Sequence, residues 1–190
     1  MSPRFASLVC LLGVLLAPAA RAGTPTELPD VTLTGSDGVA HRLRGGGKLT
    51  VVEFFSARCP CQREHDPRFV ELYRRFAKDG VAFYAVDSEA GTTPAKLAAE
   101  AKRRGYPYPI LWDQGGRLAK QVGAEFCLTT LVADAAGRVR YYGGVDSDRT
   151  CMHEGEGSHP YLKNALEALL AGREPDPART KPMGCWLQRW

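Results

Sequence analysis

Two cysteines lie in the run Phe54-Phe55-Ser56-Ala57-Arg58-Cys59-Pro60-Cys61-Gln62, which joins two stretches of opposite character. Before it, Leu49 to Phe55 is apolar and β-branched apart from Glu53, the pattern of a strand buried on both faces. After it, Phe69, Val70, Leu72, Tyr73 and Phe76 recur at helical spacing until Asp79-Gly80 ends the run, with Pro67 inside. Cys59 therefore stands where a strand hands over to a helix. A thiol there faces unpaired N–H groups and the positive end of the helix dipole, and Arg58 adds a cation. Those surroundings favour the thiolate, which is the attacking species in thiol chemistry.

Cys61 is harder to place. Two residues along a helix is a rotation of about 200°, so a Cys59–Cys61 bond would close a tight, readily reduced ring. Cys61 is open to three readings: redox partner, packed residue or metal ligand. Glu53 interrupts an apolar strand, where an unpaired charge is costly, so it either faces solvent or has a raised pKa. Cys151 follows Gly143-Gly144-Val145-Asp146 and Cys185 sits in the tail Met183-Gly184-Cys185-Trp186. Both are read as outside the core, and a bridge between them would be the ordinary use of cysteine in an exported chain. His153 and His159 near Cys151 match no compact zinc spacing.

The elements that must hold these residues follow from the pattern. Val31 to Leu33 and His41 to Leu43 around Ser36-Asp37-Gly38 form a hairpin covering one sheet edge. Val81 to Val86 is a strand, and Thr93-Pro94 opens a helix that runs to Arg104 and stops at Gly105. Ile110 to Trp112 resumes the sheet and Gly116 to Val122 is a short helix. Thr129 to Ala133 and Arg138 to Tyr142 are strands, and Tyr161 to Leu170 is a last helix. Alternating strands and helices give an α/β domain of three layers, a central mixed sheet flanked by helices with an N-terminal hairpin.

The N-terminus carries Arg4, an apolar run from Phe5 to Ala20 and the small-x-small site Ala20-Arg21-Ala22, which together read as a secretory signal peptide. The expected organisation is a signal at 1–22, one domain at 23–172 and a Pro-rich extension at 173–190. Cleavage would discard Cys10 and leave five cysteines, an odd number that leaves at least one thiol unpaired within a monomer. It would also leave 168 residues, a single-domain length, with 23 basic and 21 acidic side chains. So small a positive balance, without basic runs interleaved with aromatics, offers no footprint for nucleic acid. No stable membrane span is expected after cleavage, and the location is secreted or periplasmic.

The segment around Cys59 resembles the thioredoxin-like superfamily, in its exported redoxin branch with TlpA-like and AhpC/TSA-like members, here with a Cys-Pro-Cys active segment. That family places its first active cysteine at a helix cap, a proline eight residues on and a buried acid six residues before. Those offsets fall on Cys59, Pro67 and Glu53. Leu128-Thr129-Thr130-Leu131-Val132-Ala133-Asp134 is similar to a later family strand that opens on a cis-proline. By this resemblance Glu53 is a proton shuttle, the usual second cysteine falls at Gln62, and Cys127 occupies the residue before the cis-proline, against the active thiol. Leu128 replaces that proline, and because a non-proline cis bond costs about 2.5–4 kcal/mol the peptide is expected trans and the loop reshaped. Cys127 is then either a resolving thiol for Cys59 or a buried core cysteine.

The expected activity is thiol-disulfide exchange at Cys59 with Cys127 or Cys61 resolving and Glu53 assisting, on protein thiols or disulfides and without an organic cofactor. The Cys59–Cys127 pair is preferred, since a helix start and a neighbouring strand loop can bring Cα atoms within bridging range. A peroxiredoxin-like antioxidant is the nearest alternative, because Ser56-x-x-Cys59-Pro60 is similar to the peroxidatic segment. Against it, Val52 stands where a proline is expected seven residues before the cysteine, and Leu128 where an arginine is expected at the later strand. A third alternative is a copper-binding chaperone built from Cys59, Cys61, Cys127 and His65, a soft ligand set.

Overall fold

The computed structural model describes residues 24–148 and 158–188. The expected signal segment and Cys151 lie outside the described residues, as does His153. Seven strands form one sheet in the order β2-β1-β5-β4-β3-β6-β7. The strands are β1 (Thr32–Gly35), β2 (Ala40–Arg42), β3 (Leu49–Phe55), β4 (Val81–Asp87), β5 (Ile110–Trp112), β6 (Thr130–Asp134) and β7 (Val139–Gly143). The helices α1 (Pro60–Phe76), α2 (Pro94–Arg104), α3 (Arg117–Gln121) and α4 (Tyr161–Leu170) flank it. β3, β4 and β5 are parallel, whereas β6 runs antiparallel to β3 and β1 antiparallel to β5. This is the mixed thioredoxin-like α/β sheet expected from the pattern, with the β1–β2 hairpin at one edge.

β3 is central, and every one of its residues is buried, which accounts for its unbroken apolar run. Glu53 lies within that strand, opposite Ala85 of β4 and Thr130 of β6. The strand delivers the chain to α1, whose Phe69, Leu72 and Phe76 face the core. Cys59 is the helix N-cap with extended backbone, and Pro60 follows in the first turn, where its missing N–H costs nothing. Thr93 caps α2 through a bond from the Lys96 N–H at 3.4 Å, and Gly105 ends it at φ 67°. The short helix expected at 116–122 begins as a 3-10 turn at 114–116, because Gly115 and Gly116 take positive φ there.

Pairing of β3 with β6 sets the site. The Leu128 N–H donates to the Phe54 carbonyl at 2.7 Å, and the Phe54 N–H to the Thr129 carbonyl at 2.8 Å. Cys127, just before these bonds, is thereby brought against the end of β3 that leads to Cys59. The Cys127–Leu128 peptide is trans, as expected for a non-proline bond, and Leu128 sits at φ 62°, the left-handed region that a leucine rarely adopts. Its side chain is buried all the same.

Candidate functional site

Cys59 and Cys127 are both buried free thiols, and Cys185 is a half-buried one. The sulfur atoms of Cys59, Cys61 and Cys185 all lie within 4.8 Å of one another. The C-terminal tail brings Cys185 there. Its strand-like segment runs antiparallel to residues 125–127: the Cys127 N–H donates to the Cys185 carbonyl at 2.9 Å and the Leu187 N–H to the Glu125 carbonyl at 2.8 Å. The Cys185 N–H donates to Cys127 Sγ at 3.1 Å. Beyond it, the Ala90 N–H donates to the Gln188 carbonyl at 2.8 Å, tying the tail to the loop after β4. Trp186 stays exposed and packs on Phe126 with ring centroids 4.3 Å apart.

Two expectations are corrected here. Cys185 is a free thiol beside Cys59, so it is not bridged to Cys151, and it does not lie outside the core but packs against it. Cys61 is disulfide-bonded, whereas Cys59, Cys127 and Cys185 are free. The disulfide removes Cys61 from the pool of free thiols in this state. Its sulfur nevertheless lies near Cys59, whose extended N-cap backbone takes it out of the helical spacing that would turn the two side chains apart.

The Cys59 thiol is held down to about 5. Hydrogen bonding from the Cys127 thiol is the leading cause, burial opposes it, and the Cys185 thiol together with the N–H groups of Cys185 and Gln62 adds to the lowering. Arg58, expected to supply a cation, turns instead to Glu89, with Nε to Oε2 at 3.2 Å. Cys127 is pushed in the opposite direction, first by its bond to Cys59 and then by burial. Cys185 is raised to about 11, by burial and then by the Cys59 thiolate. The cluster thus holds one thiolate, stabilised by two protonated neighbours.

Glu53 is buried, and burial raises its pKa well above the ordinary carboxylate value against the opposing bond from Gln62. Gln62 Nε2 donates to Glu53 Oε1, and Glu53 Oε2 and Gln62 Oε1 are buried without partners. Gln62 also donates to Asp66 at 3.1 Å, and Asp66 accepts from Tyr106 and Arg104. The position where the resembled family carries a second cysteine therefore holds an amide that joins Glu53 to a buried polar network. Asp66, Tyr106 and Arg104 were not legible as site residues, since two of them come from α2 and the loop after it. His65 is buried, with Nδ1 2.8 Å from the Cys61 carbonyl oxygen and Nε2 3.7 Å from Asp146, so its ring is engaged away from the thiols.

A cleft of about 500 Å³ opens beside the segment, lined by Arg58, Glu89, Thr92, Lys96, Glu100 and Arg103 among others. It carries both signs of charge.

A central strand feeding a helix-capping thiolate, with a buried acid beneath, defines a thioredoxin-like redoxin. Residues 25–142 match the AhpC/TSA family, more than half of the chain, and the protein belongs to that family. No curated protein matches it in sequence. Among solved structures, an uncharacterized conserved protein from Geobacillus kaustophilus is 27% identical, with TM-score 0.76 and coverage of 90% of this chain and 94% of that one. A hypothetical protein from Sinorhizobium meliloti 1021 is 25% identical at TM-score 0.76, covering 88% and 94%. The peroxidoxin BcpB from Mycobacterium tuberculosis, 24% identical at TM-score 0.52 over 62% of this chain and 83% of that one, shares the fold.

Proposed function

We propose that the protein is an exported thiol-disulfide oxidoreductase in which Cys59 is the nucleophile. The observation that carries this reading is the convergence of free thiols on Cys59 at a helix N-terminus, which favours its thiolate. Cys59 attacks one sulfur of a substrate disulfide, forming a mixed disulfide and releasing the other sulfur as a thiolate. A second thiol of the cluster then attacks Cys59 Sγ, releases the remaining substrate thiolate and leaves an internal disulfide; the substrate has gained two electrons and the protein has lost two. Glu53, favoured as the neutral acid, supplies a proton to the departing thiolate, with Gln62 holding its carboxyl in place. The mixed-charge cleft beside Arg58 suits a polypeptide substrate.

Export is supported by the apolar run from Phe5 to Ala20, and the disulfide at Cys61 accords with an oxidising compartment. Peroxide reduction is less favoured: Arg58 and Arg104, the guanidinium groups beside the segment, are held by Glu89 and by Asp66 with Glu100. The test is turnover of a disulfide-bonded model protein by an external dithiol. Wild-type protein accelerates it and Cys59→Ser does not. Activity retained in Cys59→Ser, or hydrogen peroxide consumed faster than any protein disulfide, would overturn the reading.

A further inference from the structure

Cys185 is built into the site. Its sulfur is within 4.8 Å of Cys59 Sγ, its backbone is pinned on both sides of Cys127, and it arrives through Gly184 at φ 145°. A Cβ on Gly184 would lie 2.2 Å from the Cys127 carbonyl oxygen and 2.8 Å from its sulfur, so the close approach that seats Cys185 requires glycine. Cys185 is half-buried where Cys127 is fully buried, so a thiolate there is partly solvated and can be reached. It also sits on a segment anchored mainly by a few backbone bonds, which can shift to align three sulfur atoms in line for exchange, whereas Cys127 is buried and directly precedes the Leu128 and Thr129 bonds to Phe54.

We propose that Cys185 is the resolving thiol for Cys59, so that turnover closes an intramolecular Cys59–Cys185 disulfide tying the C-terminal tail to the start of α1. The proposal rests on the reading of Cys59 as nucleophile. Once Cys59 has formed a mixed disulfide its negative charge is gone, and with it one of the influences that keeps Cys185 protonated. Cys185, partly exposed, gives its proton to solvent, attacks Cys59 Sγ, forms the new S–S bond and breaks the bond to the substrate sulfur, which leaves as a thiolate. An external dithiol returns the two electrons and regenerates both thiols. Cys127 acts before this step, as the donor that keeps Cys59 ionised, and is a positioning residue.

The experiment reacts the full chain, reduced and then freed of reductant, with one equivalent of a chromogenic aromatic disulfide. Wild-type protein releases two aryl thiolates in succession, and peptide mapping finds Cys59 linked to Cys185. Cys185→Ser, whose hydroxyl still donates to Cys59, releases the first and then keeps the aryl group on Cys59 at least about tenfold longer, because the intramolecular attack is lost. Cys127→Ala slows the first release and not the second. A wild-type map with Cys59 linked to Cys127 or to Cys61, or a second release unchanged in Cys185→Ser, overturns the proposal while leaving Cys59 as nucleophile. A first release unchanged in Cys59→Ser overturns both.

Discussion

At Cys59 the protonation state is set by two other sulfur atoms more than by any formal charge. Alkylation of Cys59 should therefore rise through an inflection near pH 5. In Cys127→Ala, which removes the leading cause of the lowering, that inflection should climb toward the ordinary thiol value of about 8.5; an unchanged profile would assign the effect to Cys185 and the helix N-terminus. Glu53 gives a second expectation. Its folded pKa lies above the ordinary value of 4.5, so the stability associated with the neutral acid is complete below that pH and is lost as the pH rises through the folded value. Glu53→Gln keeps the neutral shape, so at pH 8 its Tm should exceed that of wild type by roughly 2–4 °C, the shift that about 1 kcal/mol produces in a chain of this size, while its disulfide turnover falls. A Tm equal to wild type at both pH 4 and pH 8 would show that Glu53 is not paying a burial cost. Cys59 and Glu53 were legible because the strand-to-helix switch is local and both stand on it. Cys185 was not: an odd count of cysteines signals a spare thiol, and only tertiary structure shows where it goes.

The elements were legible nearly throughout, since β3 is an unbroken buried run and α1, α2 and α4 each carry an apolar face and end at or shortly before a glycine. What pattern does not encode is the conformation of the Cys127–Leu128 turn. The cis-proline of the resembled strand suggests a substitution, Leu128→Pro, that would look restorative. In this chain it should cost about 3 kcal/mol or more in denaturant unfolding, because proline cannot reach φ 62° and would delete the 2.7 Å bond from the Leu128 N–H to Phe54. Stability equal to wild type would mean that the loop can return to the cis form, and the β3–β6 junction with it.

At the scale of the whole molecule, the tail is weakly attached. Between Met183 and Gln188 only Leu187 is buried, and the segment is held chiefly by backbone bonds to residues 125–127 and to Ala90. Amide hydrogen exchange should therefore find Leu187, Cys127 and Ala90 far less protected than Val51 and Val52 in β3. Equal protection would mean that the tail opens only with global unfolding. Earlier in its course the same segment passes β7, the last strand of the sheet. Tyr142 donates its N–H to the Ala178 carbonyl and accepts from the Thr180 N–H, both at 3.1 Å, and a Cβ on Gly143 would strike Thr180 Oγ1 at 1.9 Å. The tail thus occupies hydrogen-bonding positions that an open strand would offer to another chain. A protease cut ahead of Ala178 would strip that cover, and the clipped protein should self-associate through β7, seen as growth in particle size with concentration that the intact chain does not show.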